Sequence, residues 1–100
     1  MSYDSKFKRK DIDEFFRAVM LLENEEECYR FFEDICTINE LHAISQRLQV
    51  AKLLSEECVY NEIVKKTGAS TATNSRVNKT LNYQAAGGYR IIFDRLVEKK

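Results

Sequence analysis

Residues 60–77 read Tyr60-Asn-Glu-Ile-Val-Lys-Lys-Thr-Gly-Ala-Ser-Thr-Ala-Thr-Asn-Ser-Arg-Val77, a spacing that lays two short helices around one glycine. Ile63 and Val64 supply the inner face of the first helix. Gly68 closes that helix, because glycine enters the left-handed backbone region without a Cβ clash. Ala69 is small where the two helices must meet. Ser70 offers a hydroxyl to the orphan amides at the start of the second helix, which is predicted to run through Leu81 with Val77 packed back on the first. The result is a helix-turn-helix over about residues 60–82.

The outer face of the second helix carries short polar groups and cations: Ser70, Thr71, Thr73, Ser75, Arg76 and Lys79, with Lys65 and Lys66 flanking them on the first helix. Such groups donate to and accept from base edges and phosphates when a helix enters the major groove. These eight residues form the candidate DNA-contacting set, and the expected partner is double-stranded DNA. One position breaks the pattern. Asn74 stands where a helix-turn-helix normally buries a branched apolar residue, and an unpaired buried amide costs about 1–3 kcal/mol. Either the amide finds a partner or the packing is loose there.

Working outward toward the N-terminus, Thr37-Ile-Asn-Glu40 has the capping-box pattern, with Thr37 as cap and Glu40 reaching back. It opens a long helix over about 38–54, whose apolar stripe includes Leu41, Ile44, Leu48 and Ala51. Before it, Asn24 precedes Glu25, Glu26 and Glu27, a helix start in which the side chain accepts amide protons and the acids suit the positive end of the dipole. That helix turns Cys28, Phe31, Phe32, Ile35 and Cys36 inward. Ile12, Phe15, Phe16, Val19, Met20 and Leu22 recur at helical spacing in an earlier helix, and residues 1–10 read as a flexible polar arm. Toward the C-terminus, Gly87-Gly88 breaks the chain before an amphipathic helix over Arg90–Val97.

With 100 residues, no proline and three glycines, the chain forms a single all-α domain over 11–100. At this size its core is limited, which points to core shared with a second subunit. Net charge is zero, but the charge is divided. Residues 20–62 are rich in acids and hold only Arg30, Arg47 and Lys52 as cations, whereas residues 63–83 hold Lys65, Lys66, Arg76 and Lys79 and no acid. Cys28, Cys36 and Cys58 form no CxxC pair and behave as small hydrophobes. With His42 as the sole histidine, no metal site is expected. Catalytic motifs, signal peptide and membrane span are likewise not seen in the sequence, so the expectation is a reduced cytoplasmic protein, not an enzyme and without a cofactor.

Two runs carry a family resemblance: Ile38-Asn-Glu-Leu-His-Ala-Ile-Ser-Gln-Arg-Leu48, and Gly68-Ala-Ser-Thr-Ala-Thr-Asn-Ser-Arg-Val-Asn-Lys-Thr-Leu81. Over about residues 10–97 the chain resembles the tryptophan-repressor superfamily, closest to its YerC/YecD branch of repressor-like proteins. The most specific stretches are Arg47–Leu54 and Thr67–Tyr83. The resemblance implies six helices in an interlocked homodimer, with the fourth and fifth as the DNA-reading pair. It further implies a sequence-specific transcriptional regulator of the repressor type; the alternative is a helical protein-interaction module that has lost DNA binding. In tryptophan-responsive members, two arginines and a threonine clamp the amino acid; Arg47 and Arg76 match the arginines and Thr37 the threonine. The glycine that follows the second arginine there is Val77 here, and a later serine that meets the ligand amino group is Thr80. The resemblance therefore implies a partly retained polar clamp with its indole slot filled, so that tryptophan is not the expected effector and the existence of another stays open.

Simpler roles stand beside these. Arg47 suits an ion pair with Glu40 as well as a clamp, Arg76 suits a phosphate better than a ligand, and Thr37 is most simply a cap. His42 reads as a structural histidine, and Tyr83, Tyr89 and Phe93 as core or dimer contacts.

Overall fold

The computed structural model describes residues 3–83 and 86–98, which form six helices and no strand. They are α1 (Lys10–Val19), α2 (Glu25–Ile35), α3 (Ile38–Ser55), α4 (Tyr60–Thr67), α5 (Thr71–Asn82) and α6 (Gly88–Glu98). The chain divides into two compact units, Met1–Thr37 and Ile38–Lys100. No helix among the described residues is long and apolar enough to cross a membrane.

In the first unit α1 and α2 pack through aromatic rings. Phe15 stacks on Phe31 at 6.1 Å between centroids, and Phe32 meets both edge-on at 6.4 and 5.4 Å. Asn24 caps α2 as its position suggested, its side-chain oxygen accepting the Glu27 N–H at 2.9 Å. The inward set is smaller than the periodicity implied. Cys28 and Ile35 are exposed, while Phe31, Phe32 and Cys36 are half-buried. Helix α1 stops at Val19, and Met20 and Leu21 lie exposed in the turn that follows. Two short helices have too few facing positions to enclose every apolar side chain, and no described residue of this unit is fully buried.

The second unit is built on α3, which touches α4, α5 and α6. Its core joins Val50 and Ala51 of α3, Ile63 of α4, Ala69 of the turn and Val77 of α5, with Leu53, Leu54, Cys58, Tyr60, Tyr89 and Phe93 packed around them. Leu81 is buried as well. The core-facing residues of α3 are thus Val50 and Ala51, whereas Ile44 and Leu48 of the predicted stripe stay exposed and Leu41 is half-buried. Helical periodicity locates an apolar stripe but does not say which neighbour will cover it. Glu57 adopts a left-handed backbone, φ 62°, in the turn that ends α3. Tyr89 and Phe93 stack at 6.1 Å and lay α6 against the core.

Candidate nucleic-acid interface

The turn at Gly68 and the cap at Ser70 of the predicted helix-turn-helix are both present. Gly68 follows α4 with φ 73°, and its N–H donates to the Val64 carbonyl at 2.8 Å. An added Cβ would meet nothing within 4 Å there, so glycine is required by the backbone angle and not by crowding. The Thr67 hydroxyl ties the same turn together, donating to the Ile63 carbonyl at 2.7 Å and accepting the Ala69 N–H at 3.1 Å. Gln46 of α3 adds a tertiary anchor, its amide donating to the Thr67 carbonyl at 3.1 Å. Thr67 and Gln46 escaped the sequence reading, because a threonine before a glycine and a glutamine on a long helix carry no distinctive pattern.

Ser70 starts α5 as expected. Its Oγ accepts the Thr73 N–H at 3.1 Å and donates to Thr73 Oγ1, also at 3.1 Å. Thr73 is consequently half-buried and engaged in the cap. Beyond it the helix has two distinct sides. Asn74, Val77 and Leu81 are buried, at the i, i+3, i+7 spacing of one helical face. Thr71, Ser75, Arg76 and Lys79 are exposed with Ser70. Twelve residues at 1.5 Å per residue give a rod about 18 Å long, and a helix about 10–12 Å across with its side chains has the width of a major groove, about 12 Å. On α4, Ile63 alone is buried; Val64, expected on the inner face, is exposed with Lys65 and Lys66. Eight residues complete only two turns, and Ile63, with half-buried Tyr60 one turn before it, faces the core that holds Val50 and Val77.

Lys66 borders an open cleft of about 510 Å³ between α3 and α4, with Thr67 and with His42, Ser45, Gln46, Gln49 and Leu53 of α3. His42, read as structural from sequence, is in fact exposed on this cleft. Tyr83 is exposed at the end of α5. Asn82 accepts from the Arg90 guanidinium at 3.2 Å and donates to Asn78 Oδ1 at 2.7 Å, linking the end of α5 to the start of α6.

The residues matched to a family ligand clamp lie in both units. Thr37 belongs to the first; Arg47, half-buried, and Arg76, Val77 and Thr80 belong to the second. Val77 is only 1% exposed and its side chain is a member of the core cluster. Thr80 Oγ1 donates to the Val77 carbonyl at 3.1 Å. Asn74 is fully buried, and both its amide oxygen and its amide nitrogen lack a hydrogen-bond partner. Among the described residues no three His, Cys, Asp or Glu side chains are grouped to hold a metal ion.

Known proteins share this arrangement closely. The YerC protein of Bacillus subtilis is 47% identical over 93 residues, a match spanning 93% of this chain and 88% of that protein. A crystal structure of a candidate Trp repressor from Staphylococcus aureus superposes with a TM-score of 0.86 at 47% identity, covering 91% of this chain and 90% of that one. A TrpR-like protein from Eubacterium eligens gives 0.87 at 50% identity, covering 91% and 93%. The model of the Trp repressor protein family matches residues 10–97. With six helices, a glycine-closed turn and a serine-capped α5, this chain belongs to the Trp repressor family.

Proposed function

We propose that this protein is a sequence-specific DNA-binding transcriptional regulator of the repressor type, which inserts α5 into the major groove of duplex DNA as part of a cytoplasmic homodimer. The observation that carries this reading is the two-sided α5. Its buried face holds the helix on α3 and α4, while its exposed face presents Thr71, Ser75, Arg76 and Lys79 in a stretch without acids. Arg76 is the group best suited to a bidentate base or phosphate contact, and Lys65, Lys66 and Lys79 suit phosphates. Ser70 and Thr73 are occupied in the helix cap, so they act by orienting the first turn as much as by touching DNA. Selection of genomic DNA fragments by the purified protein tests the proposal. Recovery of a shared sequence motif, bound with an affinity that falls steeply with salt as counterions are released, is the expected result.

A second reading, a helical protein-interaction module without DNA binding, draws support from the acid-rich stretch 20–62 and from the imperfect seat of Asn74. Salt-independent or undetectable binding to duplex DNA would favour it.

The homodimer is supported by unspent apolar surface. No described residue of the first unit is fully buried, and Phe16, Met20 and Leu21 lie exposed there; α6 leaves Ile91, Ile92, Leu96 and Val97 exposed. A soluble chain of this size does not keep so many large apolar groups in water without covering them. Sedimentation should give a dimer at micromolar protein, and its preferred DNA site should be two-fold symmetric with half-sites about 34–36 Å apart. A monomer at that concentration refutes both.

Tryptophan is not the effector in this reading. Val77 fills the space beside Arg76 that family resemblance assigns to an indole, and it does so as a core residue. Displacing it to admit a ligand carries an overpacking cost of about 1–3 kcal/mol. Calorimetry with millimolar tryptophan should show no binding to the natural protein. Tight binding overturns the claim, and binding gained only by Val77→Gly supports the filled slot.

A further inference from the structure

We propose that the open cleft between α3 and α4 is a binding site for a phosphate group, with Lys66 supplying the charge and His42, Ser45 and Gln49 supplying further hydrogen-bond donors. Two independent observations carry this. The first is the chemistry of the walls. His42, Ser45, Gln49 and Leu53 fall at successive turns on one face of α3, and Lys66 and Thr67 close the cleft from the end of α4. Every polar side chain there can donate a hydrogen bond. The acids of these two helices, Glu40 and Glu62, do not line the cleft. His42, Ser45, Gln49 and Lys66 are exposed, and among the described residues their side chains have no hydrogen bond or ion pair. Lys8, Arg9 and Arg30, by contrast, are paired with Asp13, Asp11 and Glu26. A cleft with unspent donors, one cation and no carboxylate attracts an anion. A phosphate group presents acceptor oxygens in several directions, and so can meet donors on both walls at once.

The second observation is that the walls are already fixed. The Gln46 amide donates to the Thr67 carbonyl at 3.1 Å. Gln46 lies one helical turn from His42 and one from Gln49, so this bond sets the last residues of α4 against the middle of the α3 face. The Thr67 hydroxyl holds the same end of α4, through the Ile63 carbonyl at 2.7 Å and the Ala69 N–H at 3.1 Å. An anion therefore meets walls whose spacing is set before it arrives, which spares part of the ordering cost of binding. An open cleft admits a phosphate that is attached to a larger molecule as readily as a free one. The first helix of a helix-turn-helix crosses the DNA backbone, and Lys66 stands two residues before the glycine of the turn. A duplex backbone phosphate and a free phosphate thus share the chemistry of this site. Only the backbone source rests on α5 being the reading helix.

Titration of the intact protein with inorganic phosphate tests the idea, followed by backbone amide NMR at constant ionic strength with chloride as the balancing anion. Saturable shifts should be confined to the cleft stretches of α3 and to residues around Lys66, with half-saturation at millimolar phosphate. Lys66→Gln should weaken this binding by about tenfold or more, the loss of one charge-assisted hydrogen bond. The double variant His42→Ala with Gln49→Ala should weaken it as well. All three residues are exposed, so the variants keep the fold. Lys65→Gln makes the same charge change one residue away, outside the cleft, and should leave phosphate binding unaltered. Absence of saturable shifts in the cleft overturns the proposal. So does equal weakening by Lys65→Gln and Lys66→Gln, which would reduce the effect to surface charge. Anisotropy with duplex DNA then identifies the source. If a backbone phosphate fills the cleft, the double variant binds selected and scrambled duplexes more weakly alike, with a salt slope smaller by about one. If the occupant is a free phosphate, the double variant binds DNA as the natural protein does. The phosphate titration without DNA stands apart from the DNA-binding reading, so failure of one is distinguishable from failure of the other.

Discussion

Ile63→Ala should lower the stability of the protein by about 2–5 kcal/mol, the range for truncating a buried branched side chain to alanine. Ile63 is 0% exposed and is the single buried residue of α4. It meets Val50 and Ala51 from α3, Ala69 from the turn and Val77 from α5 within one cluster. Removing three carbons at that junction loses their transfer free energy and leaves a cavity that the surrounding helices can close only by moving. Such movement is restricted, because Gln46 fixes the end of α4 to α3 and Thr67 fixes the turn to Ile63's own carbonyl. The cost should therefore lie toward the upper part of the range. Denaturant unfolding followed by circular dichroism measures it, with a midpoint lowered at unchanged slope. A loss below about 1 kcal/mol, typical of a surface position, would show that Ile63 does not tie α4 to α3 and α5.

Arg76→Ala should weaken binding to the selected DNA site by about 1–3 kcal/mol, roughly 5–150-fold, while leaving stability nearly unchanged. The two expectations come from the same geometry. Arg76 is exposed on α5, beside Ser75 and one turn before Lys79 and Thr80, so its removal opens no cavity. The neighbouring Val77, by contrast, is in the core. Fluorescence anisotropy on the selected site and on a scrambled duplex separates two modes of contact. If Arg76 reads a base, the selected site loses more affinity than the scrambled one. If it meets a phosphate, both weaken alike and the salt slope falls by about one. Unchanged affinity on both duplexes removes Arg76 from the interface and, with it, the strongest single contact in the proposed reading.

Both effects concern a segment that was legible as sequence. Gly68, Ser70 and Val77 announced a turn, a cap and an inner face, and the structure has φ 73° at Gly68, a Ser70–Thr73 cap at 3.1 Å and a buried Val77. Asn24 and the acids after it located the start of α2 equally well. These signals survive in one dimension because each satisfies a local demand, a backbone angle or an orphan amide, within three or four residues of itself. The family was legible for the same reason: its marks are contiguous runs, Ile38–Leu48 and Gly68–Leu81.

What sequence alone determined, then, was the number and order of the helices, the caps at Asn24 and Ser70, the stop at Gly68, and the polar face of α5. Tertiary structure alone decided which apolar residues become core. Ile44, Leu48 and Val64 fit their stripes yet remain exposed and Cys28 lies outside, so that of the α3 stripe the full burial falls only on its end, at Ala51 and the adjacent Val50. It also decided that His42 faces the α3–α4 cleft and that Thr67 and Gln46 hold the turn. Asn74 shows the division most clearly: sequence marked it as a polar residue at a buried position and left two outcomes open, and only the packing of α5 on its neighbours showed the amide enclosed and unpaired. The reason is one of range. Caps and turns are settled by neighbours along the chain, whereas burial is settled by residues on other helices, as Val50 of α3 and Val77 of α5 enclose Ile63 of α4, and their approach depends on how every helix packs at once.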